Sequence, residues 1–250
     1  GDELIVSLWG ETQLRKKYII NRDGKIYDDK VGLLILTGRS IEDAQLFLKN
    51  QFGRIYATLN GASPSSFIEI SLGKLRSINV NFVGEIKIPG VHPVHPFSTV
   101  ITGLIQAGGV DTSGSLRNIQ IKRGGELLKS IDLYDYLLKG DLPENIQLRD
   151  QDIIVVPVKK ISVTVDSAVI RPGIYESKSF ETVKDIIDNA GGLTANASSV
   201  VGIKRIVPIN ERTLNNPIIK NHYIDYSNSQ LMPVKNGDII IVNNIFKSLN

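Results

Sequence analysis

The sequence predicts an α+β protein in which a leading module is followed by two tandem copies of a second module, and three observations predict it. The first is a repeat at one offset: Pro89, Gly90, Phe97, Thr99, Val100, Ala107, Gly108, Gly109 and Ser115 return 83 residues later as Pro172, Gly173, Phe180, Thr182, Val183, Ala190, Gly191, Gly192 and Ser198. The second is that, with one residue lost, Ile121-Lys122-Arg123 returns as Ile203-Lys204-Arg205, and Asp152-Ile-Ile-Val-Val156 returns as Asp238-Ile-Ile-Ile-Val242. The third is that the apolar spacing inside each copy changes from strand to helix and back to strand, the signature of a helix laid on a sheet. A tandem duplication of a unit of about 80 residues accounts for all three.

The leading segment comes first in the chain. Leu4, Val6 and Leu8 alternate with Ile5, Ser7 and Trp9, which predicts a strand with one face in a core. Tyr18-Ile19-Ile20 and Lys25-Ile26-Tyr27 flank the turn-forming Asn21-Arg22-Asp23-Gly24 and are expected to pair as a hairpin. Val31 to Leu36 gives another apolar run. Ser40 and Asp43 then form a capping box for a helix carrying Ile41, Ala44, Phe47 and Leu48, which ends at Gly53. The uncharged loop Asn60 to Ser66 leads into a strand over Phe67 to Ile70.

In the first copy of the repeat, Phe82, Ile86 and Ile88 run into Pro89-Gly90, which are expected to stop that strand. Thr99 stands as an N-cap before Val100, Leu104 and Ala107 at helical spacing, and Gly108 stands where a left-handed C-cap belongs. The second copy keeps the plan with Thr182, Val183, Ile187, Ala190 and Gly191, and Asp185 completes a capping box. Each Asp-Ile-Ile run follows a polar turn, Arg149 to Gln151 or Lys235 to Gly237, and reads as a buried strand. Asn210 to Pro217 is a polar surface excursion inside the last module.

Composition excludes several function classes. The chain has 29 basic and 26 acidic residues for a net charge of +3, without a basic tract, which argues against nucleic acid. It has no cysteine, so disulfides and thiolate metal sites are absent, as suits a periplasmic protein. No apolar run reaches membrane-spanning length, and no signal peptide is present, so the chain reads as soluble.

The pattern of Gly84-Glu85, Pro89-Gly90, a Thr-Val helix ending in Ala107-Gly108-Gly109, and Asp152 to Pro157 resembles the soluble-ligand-binding β-grasp (SLBB) domain. The second copy departs at Ser167-Ala168 and at Asn243, where the first has Gly84-Glu85 and Pro157. Two such domains after a segment with Asp23-Gly24-Lys25-Ile26 and Thr37 to Ala44 resemble the bacterial outer-membrane polysaccharide export proteins. The resemblance implies a polysaccharide export domain at 1–76 and SLBB domains at 77–160 and 161–250, stacked along a long axis. It also implies a periplasmic, outer-membrane-associated ring of identical subunits that passes capsule or exopolysaccharide. An inner-membrane, tyrosine-kinase-linked copolymerase would be its partner. In the family a lipid-bearing cysteine lies upstream and a membrane-crossing segment can follow the last domain; this chain has neither, and its opening Gly1-Asp2 resembles a trimmed family entry sequence.

The residues capable of chemistry are better explained structurally. His92 and His95 have the spacing of a metal pair, but no third ligand gathers near them and the flanking prolines favour an extended loop; His222 is solitary. Gly108-Gly109 and Gly191-Gly192 follow helices instead of preceding them, which favours capping over phosphate binding. Asp43 and Asp185 read as caps, Asp2, Asp152 and Asp238 as acceptors of turn N–H groups, and Glu85 as a solvated strand end. Asn196-Ala197-Ser198 matches the glycosylation triplet and reads as an unmodified loop. Lys122-Arg123 and Lys204-Arg205 are either rings of positive charge in a pore or, preferably, solvated strand ends. No catalytic residue, metal or cofactor is therefore predicted. The repeated structural positions are Pro89, Gly90, Thr99, Ala107, Gly108, Gly109 and Asp152 with Pro172, Gly173, Thr182, Ala190, Gly191, Gly192 and Asp238. The rival reading is a monomeric periplasmic module that binds a glycan or small ligand, and an accessory carbohydrate enzyme is a third.

Overall fold

A computed structural model describes residues 1–142, 146–213 and 218–245 of the chain. The chain divides into two compact units: one of Gly1–Asn79 with Pro93–Ser98 and Gln147–Asp150, the other of Val80–His92, Thr99–Ile146 and Gln151–Asn250.

In the first unit, strand β1 (Glu3–Gly10) lies between β2 (Leu14–Ile19) and β5 (Ser66–Leu72) in an antiparallel sheet. The period-two alternation sends Leu4, Val6, Leu8, Ile68 and Ile70 to one face, where they are buried with Leu48 and Phe52 of helix α1 (Ile41–Gly53). Each such side chain removed from water contributes roughly 1.5–3 kcal/mol. Ser40 caps α1 by accepting the Asp43 N–H at 3.1 Å. On the opposite face Trp9 and Phe67, paired across β1 and β5, stack with ring centroids 6.0 Å apart.

The expected hairpin across Asn21 to Gly24 does not form. Strand β3 (Lys25–Asp28) pairs with β4 (Gly32–Ile35) as a separate ribbon, while β2 pairs with β1. The side chains give the reason. Asn21 Oδ1 accepts the Asp23 and Lys25 N–H groups at 3.0 and 2.9 Å, a side-chain turn that redirects the chain. The buried Asp28 carboxylate accepts the Lys30 and Val31 N–H groups at 2.9 and 3.0 Å, which folds β3 back onto β4. It also accepts Lys16 Nζ at 2.8 Å and the Tyr18 hydroxyl at 2.6 Å, so β2 meets β3 through side chains and not through a ladder. Burial alone would raise the Asp28 pKa, but these four donors outweigh it and hold the carboxyl well below its ordinary range.

Most of the repeat lies in the second unit. Strands β6 (Ile78–Gly84), β7 (Gly90–Val94), β8 (Ile119–Arg123), β9 (Glu126–Ile131) and β10 (Ile153–Val156) form a sheet in the order β7-β6-β10-β8-β9. Strands β11 (Ile161–Ser167), β12 (Gly173–Ser177), β13 (Ala197–Ile206), β14 (Ile219–Asp225) and β15 (Ile239–Asn244) form a second in the matching order β12-β11-β15-β13-β14. In both, the Asp-Ile-Ile strand is central, parallel to the entering strand and antiparallel to the strand that ends in Lys-Arg. Even the lone bridges repeat, Ile86 with Val110 and Val169 with Leu193. Helix α2 (Val100–Gln106) and helix α4 (Val183–Asn189) occupy equivalent places, and Val183, Ile186 and Ile187 of α4 are packed in one core with Val163, Val201, Ile203, Ile240 and Val242. The fold is α+β with two tandem SLBB-like modules.

The Pro-Gly pairs do not end the entering strands. Those strands finish earlier, at Gly84 (φ +90°) and Ser167 (φ +76°), where a left-handed residue turns the chain so that the next N–H reaches the Val156 or Val242 carbonyl at 2.8 Å. Gly90 and Gly173 instead open the following strands. The first module also has a helix that its sequence did not announce, α3 (Tyr134–Lys139). Part of the predicted excursion, 214–217, lies outside the described residues; Ile209–Glu211 is a single 3-10 turn.

Candidate functional site

Each repeated helix is built by the same local chemistry at both ends. Thr99 and Thr182 are extended N-caps whose hydroxyls accept the N–H three residues on, and Thr102 and Asp185 reach back to the cap N–H at 2.8 Å. At the other end Ala107 and Ala190 are the last half-helical residues. Gly108 and Gly109, like Gly191 and Gly192, have φ between +82° and +87° and return their N–H groups to Ile105 and Leu104, or to Asp188 and Ile187. This is a double-bonded left-handed helix stop, and it occupies the N–H groups that a phosphate would need. Pro89 and Pro172 directly precede the glycines that begin β7 and β12.

Of the basic pairs that close β8 and β13, Lys204 is exposed as a solvated end, but the arginines are not free. Arg123 donates Nε and Nη2 to the two oxygens of Asp152, both at 2.8 Å, and Arg205 grips Asp238 the same way at 2.9 and 2.6 Å. Both carboxylates are fully buried, and the arginine side chains are only 27% and 12% exposed. Asp238 also accepts the Lys235 N–H at 2.8 Å, the turn bond expected of it. A forked guanidinium on a buried carboxylate is a charge-satisfied structural pin, so these arginines cannot line a pore as free positive charge. Glu85, expected to be solvated, is half-buried and accepts the Ser113 hydroxyl within its own module. His92 Nε2 lies 2.8 Å from the Ile88 carbonyl and its ring meets Phe82 edge-on, while His95 Nδ1 accepts the Phe97 N–H at 3.3 Å. Among the described residues no three acidic or histidine side chains gather as a metal site.

A dense polar cluster lies between the two repeated modules and uses none of the repeated positions except Ser115. Glu176, buried on β12, accepts the Ser115 hydroxyl at 2.5 Å and the Leu116 N–H at 2.8 Å from the first module, and its own N–H donates to the Tyr134 hydroxyl at 2.6 Å. Arg117 reaches across to Glu181 at 2.7 Å while its Nε donates to Asp132 at 3.2 Å, and its guanidinium lies 4.4 Å from the centre of the Tyr134 ring. Lys178 returns from the second module to Asp132 at 2.6 Å. Burial would lower the Arg117 pKa and raise that of Asp132, but the ion pairs reverse both, leaving Arg117 raised and Asp132 depressed; burial pushes Tyr134 up to about 12. Every carboxylate here is occupied by a donor from the protein, so the cluster binds module to module and offers no base to a substrate.

This cluster is not legible in the repeat because it is made of residues that the copies do not share. Glu176 stands where the first copy has Pro93, Glu181 where it has Ser98, and the Arg117 position carries Val200 in the second copy. Charges present in one copy alone were the available signal.

The SLBB domain model matches residues 80–129 and 162–209, one stretch in each five-stranded module. Each five-stranded module thus carries an SLBB match. Over 243 residues, 97% of its length, the chain is 25% identical to two proteins of Escherichia coli, each named polysialic acid transport protein KpsD. The chain spans about two fifths (41%) of the length of these relatives. The two domain matches and this similarity along nearly the whole chain support the resemblance to polysaccharide export proteins read from the sequence. The relatives are transport proteins by name. Among the described residues of the chain no helix is long and apolar enough to cross a membrane.

Proposed function

We propose that this chain forms a periplasmic, outer-membrane-associated part of a translocon that exports capsule or exopolysaccharide. In this reading an export domain at 1–76 and SLBB domains at 77–160 and 161–250 act as structural segments. Copies close into a ring by rotational symmetry, and a hydrated polymer slides through the lumen without being modified. The energy comes from an inner-membrane copolymerase of the tyrosine-kinase-linked kind. The observation that carries the reading is the similarity, along 97% of the chain, to proteins named for polysialic acid transport. The buried junction between the SLBB modules supports it, because segments of a ring must hold a fixed shape before they assemble.

Deleting the gene should abolish surface polysaccharide while intracellular synthesis continues, and electron microscopy of the full-length protein in detergent should show rings with a central hole. Unchanged surface polymer in the deletion strain would overturn the export role. Strictly monomeric full-length protein that gives a saturable signal with oligosaccharides would replace the ring with a glycan-binding module.

A further inference from the structure

The second SLBB module has a groove on one face of its sheet, and the duplication shows which residue changes shape it. Across three strands of the sheet face that points away from α4, the row Tyr223–Gly202–Ile241 of the second module corresponds to Ser130–Gln120–Val155 of the first. Bulk has moved from the middle strand to the edge. Gly202 leaves a floor without a side chain, Tyr223 stands beside it with 72% of its surface exposed, and Lys204, Asn221 and Asn243 complete the walls. Gly202 does not need to be glycine for its backbone, since its φ lies outside the left-handed region, and a Cβ would meet the Tyr223 ring at an ordinary 3.4 Å.

We infer that this groove binds a single uncharged pyranose unit of a glycan. An exposed tyrosine ring gives the apolar C–H face of a sugar a surface to lie on. Two primary amides and an ammonium, each exposed, supply donors and acceptors for ring hydroxyls. Charge decides between neutral and acidic sugars. Asp166, directly opposite Ile241, and Asp225, two residues beyond Tyr223, face the same side as Lys204. Asp225 is held in its carboxylate form by the Ser227 hydroxyl and N–H. Two carboxylates against one ammonium repel an anionic unit. The assignment rests on the export reading only for the source of the sugar.

The test is a nuclear magnetic resonance titration of the whole folded chain with neutral oligosaccharides (malto-, cello-, manno- and galacto-oligomers) and with oligosialic acid as the anionic probe. At least one neutral oligomer should shift the amide signals of Gly202, Lys204 and Tyr223, with an affinity at least tenfold above that for oligosialic acid. Tyr223→Ala and Gly202→Gln, the second of which restores the sister module's residue, should each weaken that binding at least tenfold with unchanged melting curves. Shifts from no neutral oligomer, shifts elsewhere on the surface, preference for oligosialic acid, or indifference to both variants would each overturn the site. So would a change in sedimentation of Tyr223→Ala without any sugar response, which would mark the groove as a contact between copies. Because the readout is binding in vitro, a deletion strain that still displays its polysaccharide would remove the export role and leave the site standing.

Discussion

At the scale of single residues, the two Arg-Asp pins are the clearest example of one charge placed to satisfy another. Asp152 and Asp238 sit at the start of a central strand, fully buried, and a forked guanidinium meets both oxygens of each. Truncating the arginine leaves a buried carboxylate unpaired, so Arg205→Ala should cost about 3–5 kcal/mol. Its neighbour Lys204 points to solvent, and Lys204→Ala should stay within about 0.5 kcal/mol. Urea unfolding of the two variants side by side makes the comparison, and equal midpoints would deny the pin its role. Each partner of the pin was legible alone in the sequence. Their pairing was not, because 29 residues separate Arg123 from Asp152 and 33 separate Arg205 from Asp238. What could have joined them is that opposite charges recur together in both copies.

At the scale of elements, the caps were readable because their chemistry is local: a threonine before the first turn and two glycines after the last specify a helix wherever they stand. The strand exits were harder to read. Gly84 and Ser167 occupy the same left-handed position, yet only the first has the residue that position favours. At Gly84 an added Cβ would fall 2.1 Å from the Val156 carbonyl oxygen, a backbone atom that cannot rotate away. Gly84→Ala should therefore destabilise the first module by at least about 1 kcal/mol, whereas Ser167→Gly should leave the second unchanged or gain up to about 1 kcal/mol, the released strain being partly offset by glycine's greater unfolded entropy. Calorimetry on both variants tests this; a loss at Ser167→Gly would mean that its side chain contributes something the backbone argument omits. The missing hairpin at Asn21 to Gly24 has a similar lesson, since turn residues announced a change of direction but could not say that Asp28 would send β3 to a different partner.

At the scale of the molecule, the duplication was visible as sequence and the joining of its copies was not, since a junction between repeats must be made of what differs between them. Arg117, Asp132, Tyr134, Glu176, Lys178 and Glu181 join one SLBB module to the next through hydrogen bonds and ion pairs. The sign of its pH dependence follows from Asp132. Burial would raise its pKa, but Lys178, the Tyr134 N–H and Arg117 together depress it below the ordinary 3.8. A carboxyl that is more acidic when folded stabilises the folded state above its unfolded value, and that contribution disappears as pH falls through 3.8 toward the depressed value. The modules should therefore keep one relative orientation from neutral pH down to about pH 4 and loosen below it. Small-angle scattering across that range should show the tandem expanding while far-ultraviolet circular dichroism still reports folded modules. Arg117→Ala removes the residue that pairs with both Glu181 and Asp132, so it should produce the same loosening at pH 7. If that variant instead scatters like the parent chain at pH 7, the polar junction does not hold the modules together, and their alignment must come from apolar contact.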